Sequence, residues 1–255
     1  MLLILAPSKT QKYIERVFPQ YTQPGLLDKS LFLADHLKSL SKTELAQLMK
    51  ISEKLTRETY QRIHNFQPPL SIKNSRQAIF TFQGDAYSQM RPKDYSEEEL
   101  LYSQDHLHIL SGLYGILRPL DLIFPYRLEM GLKLVIPEAR NLYHYWGDSP
   151  TDIINSSLTK TNSRRLVNLA STEYFKVVNR KKLRGEIVTI IFRQKKNDLF
   201  KTIPIYSKKA RGLMIHFAIV NQIVKAEELK SFNLDGYSYR EDESTEEIWM
   251  FKKEE

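Results

Sequence analysis

Ser8 and Lys9, in Leu5-Ala6-Pro7-Ser8-Lys9, place a hydroxyl beside an ammonium group. Asp85 and Tyr87, in Gln83-Gly84-Asp85-Ala86-Tyr87, add a carboxylate and a phenol. Brought together with Lys208, these groups could make an acid/base site, with Asp121 and Glu129 as further carboxylate candidates. A second set suits phosphate. In Ser207-Lys208-Lys209-Ala210-Arg211 three cations stand within five residues at the expected start of a helix. Cations there oppose the helix dipole, which a bound anion would explain because helix N-terminal amides favour phosphate. Pairing with Asp85, Asp121 or Glu129 would explain it equally well.

The stretch from Ser111 to Gly131 holds three of the nine glycines of the chain, together with Arg118, Arg127, Asp121 and Glu129. Gly112 and Gly115 would let backbone amides approach a ligand closely. Arg118 and Arg127 would either present guanidinium forks to phosphate or be locked to the neighbouring carboxylates. The expectation is that this stretch forms one wall of a basic cleft.

Residues 42–66 read as two amphipathic helices separated only by Lys50-Ile51-Ser52. This layout resembles a helix-hairpin-helix, in which hairpin amides hold a DNA phosphate without reading sequence. Ile51 would be the apolar plug, with Lys50, Ser52, Lys54 and Arg57 at the phosphate. The glycines usual in such a hairpin are replaced by Lys50 and Ser52, and a helical hairpin packed on the sheet fits the same pattern.

Other chemistry is excluded or unsupported. With no cysteine there is no thiolate metal site and no peroxidatic thiol. The six histidines, at 36, 64, 106, 108, 144 and 216, lack metal-ligand spacing, so no metal site is expected. No phosphate loop, dinucleotide fingerprint or nucleophile elbow occurs, and no cofactor is expected. No segment approaches the roughly twenty apolar residues of a bilayer span, and the N-terminus lacks a signal-peptide layout. The expected location is the cytoplasm. A formal charge of +8 favours polyanionic partners.

The elements that must carry these groups follow from periodicity. Strands are predicted over 2–6, 78–82, 107–111 and 166–170, and after 131. A hairpin is expected from "EIVTIIFRQ" and "LFKTIPIYS" around Lys195–Asp198, and a last strand near 247–252. Capping boxes at Ser41/Glu44 and Ser96/Glu99 start helices, and others are expected over 52–66, 149–158 and 208–224. The candidate residues sit just past predicted strands, where open α/β sheets place their ligands. The expected architecture is a single mixed α/β domain over 1–255, with a central mixed sheet, flanking helices and a helix-hairpin-helix-like insertion.

Taken in order, "LAPSK", "FQGDAY", "LSGLYGILRPLDLIFPYRLEMG", "YWGD", "VNLASTEYF", "YSKKARGLM" and "FNLDGYSYREDES" resemble the YaaA family of bacterial proteins across nearly the whole chain. The resemblance implies the family's unusual mixed α/β "cantaloupe" fold, a positively charged cleft and a helix-hairpin-helix. It also implies resistance to hydrogen peroxide through lowered unincorporated iron, and binding to double-stranded or distorted DNA. On this chain the cleft would draw on Ser8, Lys9, Arg118, Arg127, Lys208, Lys209 and Arg211. The function expected is a monomeric DNA-binding stress protein with little sequence specificity. The rival is an enzyme acting on a nucleotide or nucleic-acid component. Direct iron storage has no ligand cluster to support it.

Overall fold

Leu2–Leu5 is apolar at every position and buried at every position, as a strand covered on both faces must be. The computed structural model describes residues 1–16, 18–137 and 139–254. The strands in chain order are β1 (Leu2–Leu5), β2 (Arg76–Gln77), β3 (Leu107–Ser111), β4 (Gly115–Leu117), β5 (Leu122–Ile123), β6 (Arg165–Asn168), β7 (Glu186–Lys196), β8 (Leu199–Lys201), β9 (Tyr237–Arg240) and β10 (Ile248–Lys253). The helices are α1 (Leu27–Lys38), α2 (Lys42–Met49), α3 (Glu53–His64), α4 (Ala78–Thr81), α5 (Asp85–Met90), α6 (Glu97–His106), α7 (Leu142–Trp146), α8 (Ser149–Lys160), α9 (Thr172–Phe175) and α10 (Pro204–Val220).

The large sheet runs β4-β3-β1-β6-β7-β10-β9, with β8 paired to the far end of β7. Its middle is parallel. Leu3 of β1 lies opposite Leu107 of β3 and Val167 of β6, and β6, β7 and β10 continue in the same direction. The edges are antiparallel, β4 on β3 and β9 on β10. The chain is therefore a single mixed α/β domain with a central mixed sheet and flanking helices. This order sets the carboxyl ends of β3, β1 and β6 side by side, so the segments after Leu5, Ser111 and Asn168 meet along one rim.

Both capping boxes are present, with Ser41 and Glu44 opening α2 and Ser96 and Glu99 opening α6. Elsewhere the sequence misled. Residues 78–82, expected as a strand, form one helical turn in which the Phe82 amide donates to the Ala78 carbonyl at 3.0 Å. Arg76–Gln77 pairs with β5, and Phe82 makes an isolated bridge with Gln11. Ala78, Ile79, Phe80 and Thr81 are buried, and an apolar run buried on every side fits a strand or a helical turn alike. Among the described residues, the strand expected after 131 is reduced to an isolated bridge between Ile136 and Ala139. The second arm of the hairpin stops at Lys201, because Pro204 opens α10, which covers 204–220 in place of 208–224. The turn between the arms places Asn197 and Asp198 at φ of 52° and 59°, the twist a tight hairpin demands. No helix among the described residues is long and apolar enough to cross a membrane.

Candidate phosphate-binding cleft

The segment leaving β1 is held from both sides. Gln11 donates from Nε2 to the Ser8 carbonyl at 3.0 Å and accepts the Tyr126 amide on Oε1 at 2.7 Å. Tyr126 in turn shares a hydrogen bond of 2.6 Å with Ser111 at the end of β3. The Ser8 hydroxyl accepts the Thr10 amide at 3.1 Å. Tyr87 of α5 donates to the Ala6 carbonyl at 3.0 Å, fastening α5 against the same segment. Gly84 precedes α5 with φ of 102°, and a Cβ there would lie 2.8 Å from the Ser8 hydroxyl oxygen. Only glycine fits a position that combines that φ with that proximity.

A further wall is α10. At Gly212 its backbone meets that of Ala86, and a Cβ at 212 would stand 2.0 Å from the Ala86 carbonyl oxygen. Together these segments enclose a cleft of about 460 Å³ lined by Ser8, Lys9, Gln83, Gly84, Asp85, Tyr87, Ser171, Glu173, Tyr174, Lys208 and Arg211. Its side chains set three cations, Lys9, Lys208 and Arg211, against two carboxylates, Asp85 and Glu173.

Their partners differ. The Lys9 ammonium sits 2.9 Å from Glu129, which also receives Arg127 at 3.2 Å. Lys9 is thus turned onto a carboxylate, and Ser8 and Lys9 form no nucleophile–base pair. Glu173 accepts the Gly131 amide at 3.0 Å. Arg211 is different: its Nε, like that of Arg127, is buried without a hydrogen-bond partner, but no carboxylate among the described residues pairs with it. Burial alone pulls its pKa below the usual arginine value. Asp85 and Lys208 also lack ion-pair partners among the described residues. Burial raises the pKa values of Tyr87 and Tyr174 well above the ordinary phenol range, so both stay protonated near neutrality and act as donors, not bases.

The sequence candidates divide. Ser8, Lys9, Asp85, Tyr87, Lys208 and Arg211 meet in the cleft, with Arg127 and Glu129 backing Lys9. Gly112 allows the end of β3 to touch the Leu128 carbonyl, where a Cβ would lie at 2.1 Å. Arg118 and Asp121 do not line the cleft. Asp121 is buried and accepts from the Arg118 amide at 2.7 Å and from Thr22 at 2.5 Å, a turn-holding role. Gly115 faces the Trp146 ring. Lys208 and Lys209 fall in the second turn of α10, away from its terminal amides, and Lys209 does not line the cleft.

The hairpin residues Lys50, Ser52, Lys54 and Arg57 also lie outside the cleft lining. Lys50 adopts φ of 51°, and the Lys50 and Ile51 amides both donate to the Ala46 carbonyl. Ser52 caps α3, and Arg57 pairs with Glu53 at 3.4 Å.

Ser207 does not line the cleft; with Arg211 it walls an adjoining hollow, lined in addition by Lys176 and Arg180. The loop Ser171-Thr172-Glu173, which like Ser8 was expected at the crevice because it follows a predicted strand, does line the cleft, whereas sequence reasoning missed these two cations and Tyr174. The available signal was the one used for Ser8: all follow the carboxyl end of a parallel strand, here β6.

Fold and cleft together define a mixed α/β protein with a polar cleft on the carboxyl rim of its parallel strands. The family model described as peroxide stress protein YaaA matches residues 1–243, and the chain belongs to that family. Membership assigns it a role in the peroxide stress response.

Proposed function

We propose that this peroxide stress protein is a cytoplasmic, monomeric DNA-binding protein that grips the phosphates of duplex or distorted DNA at the cleft, with little regard to sequence. One observation carries the proposal. Arg211 is a partly buried guanidinium with no anionic partner among the described residues, and a charge left so is costly unless a ligand supplies the counter-charge. Lys208 stands one turn away on the same helix, and Lys9 crosses from β1. Contacts to phosphate alone carry no sequence information. With no thiol in the chain, protection from peroxide runs through shielding DNA and limiting iron-dependent damage, not through thiol reduction of the oxidant. The hairpin at 42–66 adds a second, weaker contact through Lys50 and Lys54.

The test is duplex and bubble DNA binding across a salt series. Two to three phosphates neutralised give a log–log slope of about −2 to −3. Replacing Lys208, Lys209 and Arg211 with alanine should weaken binding uniformly across sequences. A triple variant that binds as tightly as the parent at matched salt would sink the proposal.

Asp85 favours a second reading. An unpaired carboxylate in the same cleft as Arg211 repels phosphate and serves a passive grip poorly, whereas a general base would belong there. In that reading the protein is an enzyme acting on a nucleotide or nucleic-acid component. Product formation from nucleotides or DNA, lost in Asp85→Asn with binding retained, would select it.

A further inference from the structure

Beyond Arg211 lies the adjoining hollow, about 560 Å³ in volume. It is walled by Asn168 at the end of β6 and Ala170 beyond it, by Thr172 and Lys176, by residues 189–192 of β7, and by Ser207 and Arg211 of α10. Its charge pattern differs from that of the cleft. Lys176, Arg180 and Arg211 line it, and no carboxylate does. The Lys176 ammonium rests 5.0 Å from the centre of the Tyr143 ring, and the Arg180 guanidinium 5.6 Å from that of Phe175. Aromatic faces hold these cations in place without neutralising them. None of the three has an ion pair among the described residues.

Arg211 brings a buried unpartnered nitrogen, and the exposed Lys176 and Arg180 add two more positive charges at the mouth, a set that suits a dianion better than a single negative charge. Hydroxyls of Thr172, Thr189 and Ser207 supply neutral hydrogen-bonding groups around them, while Val178 and Ile190 give apolar wall. The volume lies within the range of small-molecule sites, about 300–1,000 Å³. We infer that this hollow binds a phosphomonoester dianion carried on a nucleoside, with the phosphate at Lys176, Arg180 and Arg211 and the nucleoside against the apolar wall. A free nucleoside monophosphate and the 5′-phosphorylated end of a DNA strand present the same group. The DNA source rests on the function proposed above; the free-nucleotide source stands without it.

The experiment measures binding of the full chain to 2′-deoxyadenosine 5′-monophosphate, to deoxyadenosine, and to one duplex with 5′-phosphate or 5′-hydroxyl ends. The monophosphate is expected to bind at least about tenfold more tightly than the nucleoside, the difference between a charge-assisted contact and none. Lys176→Gln with Arg180→Gln, both exposed in the parent, should erase that ratio while leaving the thermal midpoint unchanged. Preference for the 5′-phosphorylated duplex identifies the strand end as source. Monophosphate binding with no such preference identifies the free nucleotide. Monophosphate binding with no DNA binding of any kind leaves this site standing and removes the DNA reading. Equal affinity for monophosphate and nucleoside, together with no preference between duplexes, overturns the inference, as does a ratio unchanged in the double variant.

Discussion

Gly212 lies directly against the main chain of Ala86, with room for a hydrogen atom and nothing larger. That contact fixes how closely α10 approaches α5, and so where Arg211 stands relative to Asp85 across the cleft. Gly212→Ala should force the two helices apart and cost about 3 kcal/mol. In a domain of this size that lowers the thermal midpoint by roughly 6–10 °C. Scanning calorimetry checks it, and an unchanged midpoint would show that the helices separate freely.

Glu129 holds two cations, Lys9 and Arg127, and is itself buried. Glu129→Gln should cost about 2 kcal/mol by leaving Arg127 without its charge partner, less than a fully buried pair because Lys9 is largely exposed. The same change adds one positive charge to the rim of the cleft. The fold should weaken while DNA affinity at low salt rises. Urea unfolding and a binding isotherm on the same sample test both, and a fall in affinity would count against the cleft as the phosphate site.

His108 is buried in β3, its Nδ1 donating to the Leu107 carbonyl at 3.0 Å and its Nε2 accepting from the Ser157 hydroxyl at 2.9 Å, and burial pushes its pKa down to about 4 from 6.5. The folded state therefore favours the neutral ring, and the unfolded chain takes up the proton first as pH falls. Its contribution to stability is intact above about pH 6.5 and is lost progressively towards pH 4, by roughly 3 kcal/mol over that window. Burial lowers His106 and His216 as well, giving the same sign. Urea unfolding from pH 7 to 4.5 should show a shallower decline in His108→Asn than in the parent.

Two of the three hairpin amides at Lys50-Ile51-Ser52 are spent on the Ala46 carbonyl. Any hold on phosphate must then come from side chains. Lys50→Ala with Lys54→Ala should reduce the salt slope of DNA binding by about one to two. A slope equal to that of the parent would leave α2 and α3 with a packing role alone.

Much of this was legible in the sequence, and the gaps have physical causes. Ser41/Glu44 and Ser96/Glu99 announced their helices because capping is local chemistry. Leu2–Leu5, Leu107–Ser111 and the strand from Arg165 could be read because buried parallel strands are short, continuous apolar runs. Residues 78–82 could not, since burial on all sides erases the period that separates strand from helix. The Ser111–Gly131 stretch looked like one wall because its charges are close in sequence. In the fold, β3 and β4 reverse direction between Ser111 and Gly115, sending Asp121 to Thr22 with Arg118 bonded to it, and leaving Arg127 and Glu129 behind Lys9. Lys176 and Arg180 escaped notice because their meaning depends on Arg211, which only tertiary structure brings beside them.

The place of β1 has a consequence for biogenesis. Its neighbours, β3 and β6, begin at Leu107 and Arg165, so Leu2–Leu5 leaves the ribosome about a hundred residues before either can shelter it. Such long-range pairing folds slowly. A nascent chain stalled before β3 would carry a greasy strand with neither of its hydrogen-bonding neighbours to pair with. The protein should lean heavily on chaperones when translation is slow, and its yield should fall most sharply under conditions that pause synthesis between β1 and β3.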